Sequence, residues 1–235
     1  PADVQAYFAT KTACSESRLK KMRSILNAIF EAAIENDLCY KNPAKRSTYR
    51  STAQKHIKHV LSDEQMETVK AYAADRMPEV VLLLETGLRR GELVGLMWSD
   101  IDMDEKTLRV RRSMVLRDKV VTANPPKWNS YRTLPLSDEA MALIRTLPHD
   151  SLYVFPNENG APHCPNSWSQ KLKRLMRKLH AEHIEIPVVT AHGLRHTYGT
   201  YLRRHGADIY TIQKLLGHKD INVTAEIYVH NELDT

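Results

Sequence analysis

Three cysteines in 235 residues leave little for covalent or thiolate scaffolding. Cys14, Cys39 and Cys164 are an odd, widely spaced set without a C-x-x-C pair. That pattern argues against a disulfide framework or a Cys-rich zinc site, and its default setting is a reducing cytoplasm. Long apolar runs are also missing. The longest, Val80-Val81-Leu82-Leu83-Leu84, falls far short of the ~20 residues a bilayer-crossing helix needs, so no membrane partner is expected. The chain opens at Pro1 with neither an initiator Met nor a signal-peptide pattern, and the expectation is a fragment whose own N-terminus lies upstream. No Walker A loop, G-x-G-x-x-G or G-x-S-x-G is present, which removes the usual signatures of nucleotide, dinucleotide and esterase sites. Eleven histidines invite a metal reading, and His192 and His196 stand four apart. The phrase His192-Gly193-Leu194-Arg195-His196 nevertheless lacks the Glu of a zincin, and an Arg inside the site would repel the cation. Neither a metal nor another cofactor is expected.

The remaining composition is that of a globular protein, with 42% hydrophobic and 26% charged residues. The length suits one large domain or two smaller ones. Net charge is +6 and the pI about 9.2, a modest pointer to a polyanion. Its distribution says more. Residues 1–60 carry 11 basic and 5 acidic side chains, whereas residues 61–235 carry 23 of each. Within the larger part, residues 62–105 hold 4 basic and 11 acidic groups, and residues 106–132 hold 8 and 1. Lys171, Lys173, Arg174, Arg177 and Lys178 lie in a stretch, 163–181, that contains no acid. Segregated charge with a neutral sum suits a DNA-facing side, and solvated helix faces explain it equally well. Lys45, Arg46, Arg111 and Arg112 join the five α-helical residues as candidate DNA contacts.

Apolar residues Leu19, Met22, Leu26, Ile29, Phe30 and Ala33 predict an amphipathic helix over 15–36, with Ser15 or Ser17 at its start and Asn42-Pro43 as its stop. The polar, basic stretch that follows reads as a linker over 46–60. A capping box at Ser62 and Gln65 then opens a second domain, 61–235. Helices are expected at 78–85, ending at Gly87, and at 89–96, 138–146, 166–181, 193–205 and 208–216. Short strands are expected at 107–111, 113–117, 119–123 and 131–136, forming a single β meander. The fold class is therefore mainly α with a small antiparallel β-sheet (α+β).

Several polar groups fall at predicted element ends. Arg89 follows a glycine break in Thr86-Gly87-Leu88-Arg89-Arg90-Gly91-Glu92-Leu93, with Glu92 one turn later and able to orient it. Lys127 lies in a turn between strands, His192 and Arg195 share a helix face, and His218 follows the stop at Gly217. Tyr228 is ten residues further on. Taken singly, each has a plain structural alternative: a surface ion pair for Arg89, a loop for Lys127, a cap for His192, the core for Tyr228. Taken in order, the chain resembles the tyrosine recombinase (phage integrase) family. TGLRRGEL, the Lys in NPPKWNSYRTLPL, TAHGLRHTYGTYL, LLGHKD and IYVH match that family's Arg, β-hairpin Lys, H-x-x-R, His and Tyr over roughly residues 62–232. Residues 1–45 resemble the C-terminal part of its helical, SAM-like core-binding domain.

The resemblance implies a metal- and ATP-independent DNA strand transferase of a mobile element or temperate phage, acting at specific recombination sites. Arg89 and Arg195 would clamp the phosphate, which two guanidinium forks can do bidentately. Tyr228 would be the nucleophile, Lys127 the general acid, His192 an assisting partner or base, and His218 a phosphate ligand. Tyr198, Tyr201 and Tyr210 are rival hydroxyls at core-like helical spacing. The His218–Tyr228 interval is ten residues where many members have nine. The resemblance also implies a homotetramer on paired sites, accessory proteins for directionality and DNA bending, and a bacterial, nucleoid-associated location. A type IB topoisomerase-like relaxing enzyme and a non-catalytic DNA-binding regulator are the other function classes this reading leaves open.

Overall fold

The computed structural model describes residues 2–54 and 59–218. The chain divides into two compact units, one ending at Ile57 and the other starting at Lys58.

In the first unit, helix α1 (Ala2–Ala9) buries Val4 and Phe8, and helix α2 (Glu16–Glu35) buries Leu19. Ser15 is the residue before α2, although its side chain makes no cap bond. The helix stops at Asn36 and Asp37, where φ turns positive at 57°, not at Asn42-Pro43. An Asp tolerates the left-handed conformation because its short polar side chain can bond locally, so the break comes before the pre-proline restriction can act. Ile29, expected on the inner face, is 56% exposed. Basic stretch 44–52 is tied down: Ala44 is fully buried, Gln5 exchanges side-chain bonds with the Thr48 backbone, and Thr52 N donates to Thr12 O at 2.8 Å. Lys45 and Arg46 are exposed on it.

The second unit is built round helix α4 (Glu79–Thr86), whose Val80–Leu84 run is buried throughout. A helix apolar on all sides must be covered on all sides. Helices α3 (Asp63–Ala73), α6 (Asp138–Thr146) and α8 (Ala191–Arg204) pack against it. Ser62 and Gln65 form the expected capping box on α3. Helix α5 is only Arg90–Leu93, shorter than expected, whereas α7 (Pro165–Glu182) and α9 (Ile209–Leu216) lie where periodicity puts them. A polar knot joins three helices. The Lys70 ammonium bonds Glu67 and Glu139 at 2.9 Å and Glu85 at 2.5 Å.

Strands do not form one meander. Strands β1 (Ile101–Asp102), β2 (Thr107–Val110) and β5 (Arg132–Pro135) make one antiparallel sheet in the order β1-β2-β5. Strands β3 (Ser113–Arg117) and β4 (Val120–Asn124) make a separate hairpin. The chain breaks between β2 and β3 because Arg112 turns inward to the buried Asp100 carboxylate and the Gly95 carbonyl. The hairpin turns on Asp118 and Lys119, both with positive φ, as a two-residue turn matched to strand twist requires. The outcome for the site is that β5 returns beside β2, with Val110 opposite Arg132.

Candidate anion site at the end of helix α9

The site starts at a glycine. Helix α4 ends at Gly87 in the left-handed conformation (φ 61°, ψ 23°), and a Cβ there would lie 2.3 Å from Tyr198 Cδ1. This turn sets Arg89 in an extended conformation immediately before α5. Glu92 then folds back and accepts from Arg89 N at 2.8 Å, as the third residue of a capping box does. The same carboxylate pairs with Arg89 Nη1 at 2.8 Å, and that nitrogen also donates to Ser130 Oγ at 3.1 Å.

On α8, Thr190 caps the start by accepting from Gly193 N at 3.2 Å. One turn in, the Arg195 side chain is buried, 2% exposed for the residue. It donates through Nη1 to Gly87 O at 2.7 Å and through Nη2 to Leu216 O. Arg89 Nη2 donates to Gly217 O at 2.5 Å, and Arg132 Nε to Leu215 O at 2.7 Å. Three successive carbonyls at the C-terminus of α9 thus each receive a different arginine. The negative end of the helix dipole and its unpaired carbonyls favour cations here.

Arg132 is the residue that sequence reasoning missed. Its Nη2 meets Glu92 Oε2 at 2.8 Å and its Nη1 meets Glu92 Oε1 at 3.2 Å. The signal was available in strand periodicity: Arg132 and buried Leu134 fall on one face of β5, and a charge on the core face must find a partner. Burial pushes the Glu92 carboxyl up, but hydrogen bonding to Arg132 and the charges of Arg132, Arg89 and Arg195 hold it below the usual carboxylate range.

His218 sits past the left-handed Gly217 (φ 64°). Burial pushes its imidazole down to about 4, helped by the positive charges of Arg195 and Arg89 and by His192 and Arg132. It is therefore neutral near pH 7 and adds no charge to the three arginines. His192 is exposed at the start of α8, its ring 4.1 Å from that of His196. Lys127 is exposed, and its ammonium lies 5.7 Å from the Trp128 ring centre, outside the arginine cluster. Trp128 and Asn129 both have positive φ in this turn. A cleft of about 700 Å³ lies between them and α9, bordered by Trp128, Ser130, Tyr131, Arg132, Lys214 and His218. Tyr228 lies outside the described residues. Among the rivals, Tyr198 is buried and its hydroxyl pushed up to about 12, chiefly by burial; the Tyr201 ring lies tilted 4.1 Å from that of His205, and Tyr210 is 65% exposed.

The outer charges separate into two sets. Lys171, Lys173, Arg174, Arg177 and Lys178 are all exposed on α7, whose other face buries Trp168, Leu172, Met176 and Leu179. Arg111 is exposed and lies 3.8 Å from Asp100. Arg112 is bound to Asp100 and Gly95, so it serves the fold. Among the described residues, no three His, Cys, Asp or Glu side chains converge as a metal site requires, and no helix is long and apolar enough to cross a membrane.

Guanidinium forks gathered with a neutral imidazole at one helix end form a candidate anion site, with donors of the kind a phosphodiester would need. The chain belongs to the phage integrase family, whose family model matches residues 62–234. It is similar to a XerC-like tyrosine recombinase of Caldanaerobacter subterraneus subsp. tengcongensis, with 29% identity over 250 residues, covering 92% of this chain and 63% of the relative. It is also similar to the transposase from transposon Tn916 of Enterococcus faecalis, with 28% identity, covering 89% of this chain and 57% of the relative. The chain thus spans about three fifths of the length of these curated relatives. Among solved structures, the Tn1549 transposon integrase in complex with transposon right end DNA matches with a TM-score of 0.78 and 25% identity, covering 93% of this chain and 76% of that one.

Proposed function

We propose that this chain is the catalytic part of a site-specific DNA recombinase that cleaves and rejoins strands through a 3′-phosphotyrosyl intermediate, integrating or excising a mobile element. The observation that carries the reading is the convergence of Arg89 and Arg195, distant in sequence, on adjacent carbonyls of α9 beside a neutral His218. A guanidinium has five N–H groups, so anchoring on the backbone is compatible with holding phosphate oxygens.

In the proposed reaction, the Tyr228 phenolic oxygen attacks the scissile phosphorus in line, and the bond from phosphorus to the 5′ oxygen breaks. Arg89 and Arg195 stabilise the charge growing on the nonbridging oxygens, and His218 donates an N–H to one of them. Losing one such donor typically costs about 10²–10³ in rate. Lys127 protonates the leaving 5′ oxygen, and His192 assists removal of the phenolic proton. The phosphotyrosyl ester keeps the energy of the broken phosphodiester, so a 5′-hydroxyl re-forms the strand without ATP. Glu92 holds Arg89 in place. Relatives named as recombinases and a transposase support the reaction class and the mobile-element role.

Double-stranded DNA at specific sites is the proposed substrate, with α7 and Lys45, Arg46 and Arg111 as outer phosphate contacts. A homotetramer on two sites, directionality and bending proteins, and a cytoplasmic, nucleoid-associated setting complete the proposal. The test is incubation with a nicked suicide DNA substrate bearing the cognate site, without added metal, followed by a denaturing gel. A covalent adduct that disappears in Tyr228→Phe is the expected result. An adduct that persists in that variant overturns the reading.

A further inference from the structure

We infer that Arg132 is a positioning residue for the anion site: its fork, closed on Glu92 and on the Leu215 carbonyl, fixes the end of α9 against the Arg89 turn. The motif segment NPPKWNSYRTLPL contains it, but the resemblance gives a role there to Lys127 alone. Its side chain is 7% exposed and its partner carboxylate 1% exposed, so this pair is a buried tie and offers no surface to DNA.

Three elements meet at this one guanidinium. Strand β5 supplies Arg132, helix α5 supplies Glu92, and helix α9 supplies Leu215 O. All three kinds of guanidinium nitrogen are engaged, with Nη1 also 3.3 Å from Ser130 O, in the turn that leads back to Lys127. Lysine cannot reproduce this arrangement, because a single ammonium lacks the planar fork. The geometry couples the two halves of the site. Glu92 orients Arg89, whereas Leu215 precedes the two carbonyls that receive Arg195 and Arg89. Without Arg132, Glu92 would retain Arg89 as its paired neighbour, with Arg195 from α8 acting at longer range, and α9 would lose one of its three arginine ties. Displacing catalytic groups by about 1 Å can cost roughly a hundredfold in rate.

The kinetic arm of the test rests on the proposed recombinase activity, and the spectroscopic arm does not. Arg132→Gln and Arg132→Lys are made in the full chain. Glu92 is followed by carboxyl carbon-13 NMR, assigned with Glu92→Gln. In the native protein its titration midpoint lies below the ordinary carboxylate range; in Arg132→Gln it moves up, and Arg132→Lys restores part of the shift. On the suicide substrate, Arg132→Gln forms adduct about a hundredfold more slowly while DNA affinity stays within about threefold, and the acid limb of its pH–rate profile moves up with the Glu92 midpoint. A merely structural residue would not move that limb. Should Arg132→Gln fail to fold, Arg132→Lys decides: adduct formation at least tenfold slower with unchanged DNA affinity supports the assignment, and the native rate overturns it. An unmoved Glu92 midpoint, or loss of rate that only follows loss of affinity, also overturns it. If the native chain forms no adduct, the recombinase reading fails, while the Glu92 titration still judges the role of Arg132.

Discussion

Replacing Gly87 by Ala tests whether the turn that opens the site is fixed by space as well as by backbone conformation. Gly87 and Gly160 both have positive φ, 61° and 73°. Around Gly160 nothing lies within 4 Å of an added Cβ, whereas at Gly87 the methyl would sit 2.3 Å from Tyr198 Cδ1 and 2.9 Å from Leu216 Cδ2. Gly160→Ala therefore measures the left-handed penalty alone, about 1–2 kcal/mol. Gly87→Ala adds overpacking against buried Tyr198 and Leu216, a further ~1–3 kcal/mol. With a urea m-value of about 2 kcal/mol/M, the Gly87 variant should unfold about 0.5–1.5 M earlier than the Gly160 variant. Tryptophan fluorescence is the natural assay, because Trp98, Trp128 and Trp168 all belong to the second unit. Since Gly87 O also receives Arg195 Nη1, the adduct rate should fall in Gly87→Ala and stay native in Gly160→Ala. Equal midpoints for the two variants would refute the steric argument.

Lys70→Met should cost about 3–5 kcal/mol in urea unfolding, because it leaves the nearly buried Glu85 carboxylate without its cation. Adding Glu85→Gln should recover much of that loss, and a single variant as stable as the double would contradict the buried-knot reading. His218 makes stability depend on pH in the acid range. Its folded value near 4 is below the unfolded one near 6.5, so the unfolded chain binds the extra proton and stability falls as pH drops from 6.5 towards 4. By pH 5 the loss should be roughly 2 kcal/mol, and His218→Gln should remove that part of the slope; an unchanged slope would disprove the assignment. For α7, Lys171→Ala with Arg174→Ala should weaken DNA binding and lower the salt slope of log affinity by about 2, read by fluorescence anisotropy. An unaltered slope would return these residues to a solvated helix face.

What could be read from the sequence was local. The stop at Gly87, the capping box at Ser62 and the end of α9 at Gly217 each depend on a few adjacent residues, and each stands where turn and cap chemistry puts it. Pairing partners were not legible. Alternation identifies a strand but not its neighbour, so β2 was expected beside β3, whereas Arg112 bends the chain inward and β5 takes the place. That pairing error hid the partner of Arg132. Alternation puts Arg132 on the face of buried Leu134, but only the place of β5 beside β2 shows that its partner is Glu92. Arg112 shows the reverse case, a basic residue in a basic stretch that reads as a DNA contact and is spent on Asp100.

The end of α9 explains why residues scattered over the chain can act as one site. Ile212 and Leu216 bury against Tyr198, which anchors a helix of only eight residues. The backbone N–H groups of Gly217 and His218 turn back to Lys214 and Gln213. This turn leaves the carbonyls of Leu215, Leu216 and Gly217 to other donors, and arginines from three separate elements supply them. Each arginine loses hydration on burial and regains partners only if the helix end stays in place. Anchoring and charge are therefore interdependent: apolar packing positions the carbonyls, and the carbonyls hold together like charges that would otherwise repel. In the proposed reaction, a site assembled in this way would be preorganised before the anion arrives, which would lower the reorganisation required when charge develops on phosphate.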